Sequence, residues 1–273
     1  MRFIHLVFVS VCLFSASVMA SQPMLLGELT QGSLIRGKTS PGTELFLNGK
    51  NVLVSKNGEF AFGFGRDAAL RQTLSWRGEN DTDLQNMTLS LAKRQYNIDK
   101  IEGVEQKYVS PPEAVLARIR QDNKAVANAR AYNTDALDFL ADFILPAQGR
   151  ISGVYGSQRI FNGQAKRPHY GLDVANKTGT PIIAPAGGTI RMAHKDLYYS
   201  GGTIILDHGF GVSSTFIHMS KLHVEEGQRV EQGELIGEIG ATGRVTGPHL
   251  DWRINWFKER LDPALLVDLP KAK

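Results

Sequence analysis

Two periodicities divide the chain. From Met24 to about Leu91, short apolar runs alternate with polar residues and stop at turn residues. TELFLNGKNVLV, residues 43–54, sets Asn48-Gly49 between two such runs, and SKNGEFAFGF, residues 55–64, sets Asn57-Gly58 before alternating aromatics. Side chains of an extended strand alternate between faces. Asn-Gly between such runs is a hairpin signal, because both central residues of the tight turn take positive φ. The pattern predicts a small β-sandwich over residues 21–95. That stretch holds no histidine and no cluster of groups suited to catalysis, which points to a binding, spacing or shielding role.

Between Tyr96 and Pro146 the period changes. SPPEAVLARIRQDNKAVANARA, residues 110–131, opens with Ser110 as an N-cap, prolines at the tolerated first positions, and Glu113 completing a capping box. Val115, Leu116, Ile119 and Val126 fall on one side of the helix that follows, with Arg118, Arg120 and Lys124 mostly elsewhere. A second short helix is expected from about Thr134, ending before Pro146. Residues 96–149 thus read as a helical connector packed on a neighbour. Both signs of charge on its polar face argue against a helix lying on a membrane. From Arg150 onward glycine and β-branched residues return with glycine-containing turns, which predicts an antiparallel-β domain over residues 150–273. The fold class is mainly β.

Composition adds a compartment. Arg2, an apolar run from Phe3 to Val18, and Val-Met-Ala before Ser21 have the form of a signal peptide over residues 1–20. The apolar run is short for a membrane span, so no stable span is expected after cleavage. Cys12, the one cysteine, lies in that run and lacks the small residue expected before a lipid-modified cysteine. The chain from Ser21 onward then has neither thiol nor disulfide, and a core must hold it together. Without Arg2 the chain has 30 basic and 27 acidic side chains, too slight a bias to attract nucleic acid. Export is expected, to the periplasm of a Gram-negative cell.

The candidate chemistry sits in the last third. His169 and Asp173 lie four apart in RPHYGLDVA; Gly171 disfavours a helix, and an even separation on an extended segment returns both to one side. His249 and Asp251 share one face of GPHLDWRINW, while Leu250, Trp252 and Ile254 take the other. His218 ends the apolar run STFIHMS. Each pair taken singly also suits a structural hydrogen bond or a surface ion pair. Together, imidazoles and carboxylates on strands of one sheet are what a hydrolytic zinc site needs: three ligands, an open position and nearby bases.

Over about residues 150–263 these runs, in order, resemble the lysostaphin-like, LytM-domain zinc metallopeptidases of bacterial cell walls. The resemblance implies a metal held by the H-x-x-x-D pair and by the second histidine of H-x-H. His169 and Asp173 match the first two ligands, and Asp251 stands where the third, a histidine, is expected. It further implies that His218 and His249, free of metal, orient water, move protons and stabilise the oxyanion. An Asp in place of the third His adds a negative charge, which should weaken the Lewis acid; Zn2+ is implied, with Mn2+ or another hard divalent cation better tolerated than by an imidazole-rich site. The implied function is a secreted metalloendopeptidase acting on peptides of peptidoglycan. The alternative is a non-catalytic regulator that activates a cell-wall amidase through its groove.

The remaining candidates have plainer readings. His208, at a hairpin turn, is expected to cap backbone groups, and His194 and His223 to be solvated. Asn162 fits ordinary turn formation. Arg253 shares the Asp251 face and suits a pair with that aspartate, a substrate carboxylate or the surface. Tyr170, Tyr198 and Tyr199 are placed beside the cleft.

Overall fold

The computed structural model describes residues 22–101, 113–161 and 163–269. The signal peptide with Cys12, the Ser110 cap with its prolines, and Asn162 lie outside the described residues.

Seven strands form the N-terminal layers: β1 (Met24–Leu26), β2 (Leu34–Lys38), β3 (Glu44–Leu47), β4 (Lys50–Val52), β5 (Glu59–Gly63), β6 (Arg71–Arg77) and β7 (Gln85–Ser90). They make a three-stranded sheet, β1-β2-β5, and a four-stranded sheet, β4-β3-β6-β7. Ile35, Phe60 and Phe62 of the first and Leu45, Leu74, Trp76 and Leu89 of the second fill one buried cluster between them. This is the sandwich the alternation predicts. Asn48 and Gly49 both take positive φ, at 51° and 75°, as the two-residue hairpin requires. The second Asn-Gly behaves differently. Only Gly58 is left-handed, the Gly58 N–H donates to Ser55 O, and the Ser55 N–H to Glu59 O; the turn is a longer one closed by a glycine in the left-handed region.

The connector departs from its helical reading. It begins with a strand, β8 (Ile98–Ile101), which pairs in parallel with β10 (Gln158–Phe161). The helix α1 (Leu116–Ala129) follows a 3-10 turn at Glu113–Val115. Its Ala125, Val126 and Ala129 pack against Met192, Leu197 and Ile205. In place of the second helix there is one 3-10 turn, Asp138–Leu140. Phe139, Phe143 and Ala147, spaced as on a helix face, all enter the main core. Outside that turn the backbone around them bonds to neighbours: the Ile144 N–H to Pro185 O, the Ile183 N–H to Pro146 O and the Phe210 N–H to Thr134 O. Sheet partners satisfy the groups a helix would have paired.

The C-terminal strands are β9 (Arg150–Gly153), β11 (Gln164–Ala165), β12 (Leu172–Ala175), β13 (Pro181–Ile183), β14 (Gly188–Leu197), β15 (Gly201–Gly209), β16 (Val212–Leu222), β17 (Arg229–Val230), β18 (Leu235–Ile239), β19 (His249–Trp256) and β20 (Glu259–Leu261). A ten-stranded sheet runs β17-β14-β15-β16-β19-β12-β9, with β18 joining β16 to β13 and β20 added to β19; its pairings are antiparallel. Every residue of β15 is buried, as befits a strand covered on both faces. Ile204 and Leu206 face the main core, and Ile205 faces α1. On β19, Leu250, Trp252 and Ile254 are 0% exposed, each aliphatic stabilising the fold by about 1.5–3 kcal/mol. That burial fixes the strand's register and turns His249, Asp251 and Arg253 to the other face. Among the described residues, no helix is long and apolar enough to cross a membrane.

Candidate metal centre and its histidines

The site is built where β12 and β19 pair. Asp173 lies directly opposite Asp251, which on its other side faces Ile217 of β16. His169 precedes β12 on an extended segment tied down by its N–H to Ser157 O and by the Gly156 N–H to its own carbonyl, both 2.8 Å. The four-residue spacing brings His169 Nε2 to 3.2 Å from Asp173 Oδ1, and His169 Nδ1 to 4.0 Å from Asp251 Oδ2. Two glycines open the space. A Cβ on Gly153 would meet Asp173 Oδ2 at 2.1 Å, and one on Gly171 would meet Asp251 Oδ1 at 2.0 Å.

His218 and His249 stand beside this group with ring centroids 4.9 Å apart. His218 sits where β16 leaves β19 and turns to pair with β18. It takes φ = 69°, a left-handed conformation that costs a non-glycine residue about 1–3 kcal/mol and accumulates at functional positions. Its Nδ1 is 2.9 Å from Thr242 O, and His249 Nδ1 is 2.9 Å from Gly247 O. A carbonyl only accepts, so both rings carry the proton on Nδ1, which leaves Nε2 as the basic atom of the neutral form. His249 Nε2 lies 4.0 Å from Asp173 Oδ1. Burial pushes the His218 pKa down, against the opposing pull of the Thr242 carbonyl and the Asp251 charge, so this ring is neutral at neutral pH.

Asp251 is not free. Arg253 Nε donates to its Oδ1 at 2.9 Å and Arg253 Nη2 to its Oδ2 at 2.5 Å. Burial alone would raise the carboxyl, but the Arg253 guanidinium outweighs it and holds Asp251 ionised. At His169, burial lowers the pKa and the Asp173 and Asp251 carboxylates more than offset it, leaving it raised.

A divalent ion fits this donor set. His169 Nε2 and Asp173 Oδ1 are buried atoms with no hydrogen-bond partner, facing each other across 3.2 Å. Neighbouring ligand atoms around a tetrahedral ion at about 2.0–2.2 Å stand roughly 3.3–3.6 Å apart. One donor each from His169, Asp173 and Asp251 lies within 4.8 Å of the others, so Asp251 is the outlying member. Each of its oxygens keeps a lone pair beyond the one Arg253 uses. The adjacent guanidinium also offsets the charge that an aspartate adds over a histidine, so the local sum equals that of a set with one carboxylate.

All five predicted site residues converge, and Arg253 takes the first of its three readings. His208 is 0% exposed and bridges Gly187 O and Ser214 Oγ. His194 is exposed, and His223 pairs with Glu238 at 2.9 Å. Tyr170 lines a cleft between the sandwich and the sheet, while Tyr198 and Tyr199 stack on Arg118 and Arg244. Sequence reasoning missed Arg130 at the end of α1, whose Nη2 donates to Thr215 Oγ1 at 3.0 Å, and Arg260, stacked 5.3 Å over Tyr170. No local pattern marks Arg130, since only the docking of α1 delivers it. Arg260 belongs to a three-residue strand with no periodicity of its own.

Known proteins carry a similar segment. An uncharacterized metalloprotease of Haemophilus influenzae is 36% identical over 151 residues, 53% of this chain and 31% of that protein. The peptidoglycan DD-endopeptidase ShyA of Vibrio cholerae is 37% identical over 125 residues, 45% of this chain and 28% of ShyA. The chain thus spans about a third of the length of the curated relatives it matches. A Pseudomonas aeruginosa crystal structure described under peptidase M23 aligns over 88% of this chain and 96% of its own, at 27% identity and a TM-score of 0.68. The family model, Peptidase family M23, matches residues 167–263, the stretch from just before His169 to just beyond β20. This segment of the chain is a peptidase M23 domain, of the LytM and lysostaphin-like kind.

Proposed function

We propose that the chain is an exported metal-dependent endopeptidase that cleaves peptide bonds in bacterial peptidoglycan, in stem peptides or cross-links. The observation that carries this reading is the convergence of His169, Asp173 and Asp251 with the His218–His249 pair on one face of the sheet. A divalent ion, Zn2+ in the first instance, would be held by the first three and would supply a Lewis acid that polarises a carbonyl and acidifies a water. The chain's own groups do the rest. Neutral His218, anchored through Nδ1 to Thr242 O, takes a proton at Nε2 from the attacking water. His249, anchored to Gly247 O, presents its Nε2 toward the same space and assists the passage of that proton on to the departing amine. ShyA, named a peptidoglycan DD-endopeptidase, supports the substrate class; a periplasmic location agrees with it.

One observation favours a second reading, a non-catalytic regulator that activates a cell-wall amidase. Arg253 engages both oxygens of Asp251 and competes with an ion for them. Mass spectrometry of fragments released from defined cell-wall material, with and without chelator, separates the two. Chelator-sensitive release is expected; no release, with no zinc or manganese bound after purification without chelators and none restored by adding metal, leaves the regulator.

A further inference from the structure

Three guanidinium groups gather beside the candidate metal centre around a single carboxylate. Arg253 comes from β19 and binds Asp251. Arg130 comes from the end of α1 and touches Thr215, the cross-strand partner of Arg253; its Nε is buried and has no partner. Arg260 comes from β20, opposite Asn255 on the same face of β19. The Arg253 and Arg260 charges both bear on Arg130, and the Arg253 and Arg167 charges on Arg260. Among the described residues, no carboxylate lies within salt-bridge reach of Arg130 or Arg260. Charges taken out of water are costly unless countered, and here Asp251 is the counter-charge for three arginines while also serving the candidate centre. A bound divalent ion would offset Asp173 and Asp251 and leave the arginine excess larger still.

We propose that Arg130 and Arg260, beside the Arg253–Asp251 pair, form a subsite for a free carboxylate of the substrate, within about two residues of the scissile bond. The proposal rests on the peptidase reading above. The distance follows from register: Arg253 is two residues beyond Asp251 on the same face, one pleat repeat or about 7 Å, which an extended peptide covers in two residues. The planar fork of arginine matches a carboxylate bidentately, and a donor left unpaired at Arg130 Nε is what such a ligand satisfies. Access exists beside Arg260, where a cavity of about 400 Å³ between sandwich and sheet is lined by Arg66, Tyr170, Lys258 and Arg260 together with Asp67 and Glu259; Asp67 is paired with Arg66, so Lys258 and Arg260 are the cations that face an entering carboxylate.

The test is calorimetric binding of synthetic stem pentapeptides to the full chain carrying His249→Ala, which keeps the peptide intact. Three peptides are compared: all carboxylates free, the C-terminal carboxylate amidated, and the side-chain carboxylates amidated. Removing the carboxylate that the arginines read should weaken binding at least tenfold, and the peptide that suffers says which carboxylate it is. Arg260→Gln and Arg130→Gln should each cut that preference to threefold or less, with Arg260→Lys retaining more of it. Equal binding of all three peptides, no binding of any, or variants that weaken the three alike would overturn the subsite. Cell-wall hydrolysis by the unsubstituted chain is measured in parallel. Carboxylate preference without hydrolysis keeps the subsite and removes the peptidase reading, and hydrolysis without preference does the reverse.

Discussion

At Asp251 a single residue type changes what its neighbours must do. A histidine there needs no counter-charge, whereas Arg253 already spends its fork on the aspartate. Asp251→His alone therefore strands a guanidinium whose side chain is 25% exposed. The expected loss is about 2–3 kcal/mol, below the range for a wholly buried pair, and Asp251→His with Arg253→Leu should recover most of it in urea unfolding. Gly171→Ala tests the same spot from the other strand: with Asp251 Oδ1 2.0 Å from the new Cβ, the carboxylate must move, and metal affinity measured by chelator competition should fall at least tenfold. His208 makes a pH prediction. Burial lowers its pKa against the Gly187 carbonyl and the Asp207 charge, so the unfolded chain, with an imidazole near about 6.5, takes up the proton first. Its contribution to stability is present above that pH and is lost as the pH falls through it toward the lowered folded value. The urea midpoint should drop between pH 7.5 and pH 5.5, and by less in His208→Gln; an unchanged difference would remove this histidine from the acid response.

Elements are held in place by contacts the chain makes far away in sequence. Ala129 on α1 is 6% exposed against Met192, Leu197 and Ile205. Ala129→Glu buries a charge there without a partner, and amide exchange across β14 near Leu197 should quicken while β19 stays protected. A uniform change over the sheet would mean α1 is not a separate unit. This dependence also sets what the sequence could reveal. Strands and hairpins were legible because alternation and Asn-Gly are local signals, and the H-x-x-x-D geometry was legible because Gly171 kept the segment extended. The Thr134 helix was misread because Phe139, Phe143 and Ala147 have helical spacing while their backbone bonds to the sheet. Strand β8 escaped notice because its partner β10 is about sixty residues away. The anchoring carbonyl of Thr242 leaves no mark on residue type at all.

The molecule joins its sandwich to its ten-stranded sheet through shared core as well as polar ties. Leu34 and Ala61 of the sandwich belong to the same buried cluster as Leu261, and a Cβ on Gly63 would meet Leu261 at 2.6 Å. Arg94 Nη2 binds Asp262 Oδ2 at 2.7 Å, the Asp262 N–H donates to Gly32 O, and Asp262 caps Ala264. Asp262→Ala removes the carboxylate that Arg94 binds, leaving it the Gln31 carbonyl, and removes the cap, an expected cost of about 2–4 kcal/mol. Calorimetry should then resolve two transitions where the parent shows one; a single transition merely shifted would mean the halves melt together regardless. The docking also has a consequence for how such chains can be recombined. Because the sandwich braces the hairpin that carries Arg260, exchanging the N-terminal half for that of a relative shifts the position of that arginine. The boundary between the two halves is a poor crossover point, and a cassette cut there would keep the placement of Arg260 only with its original companion.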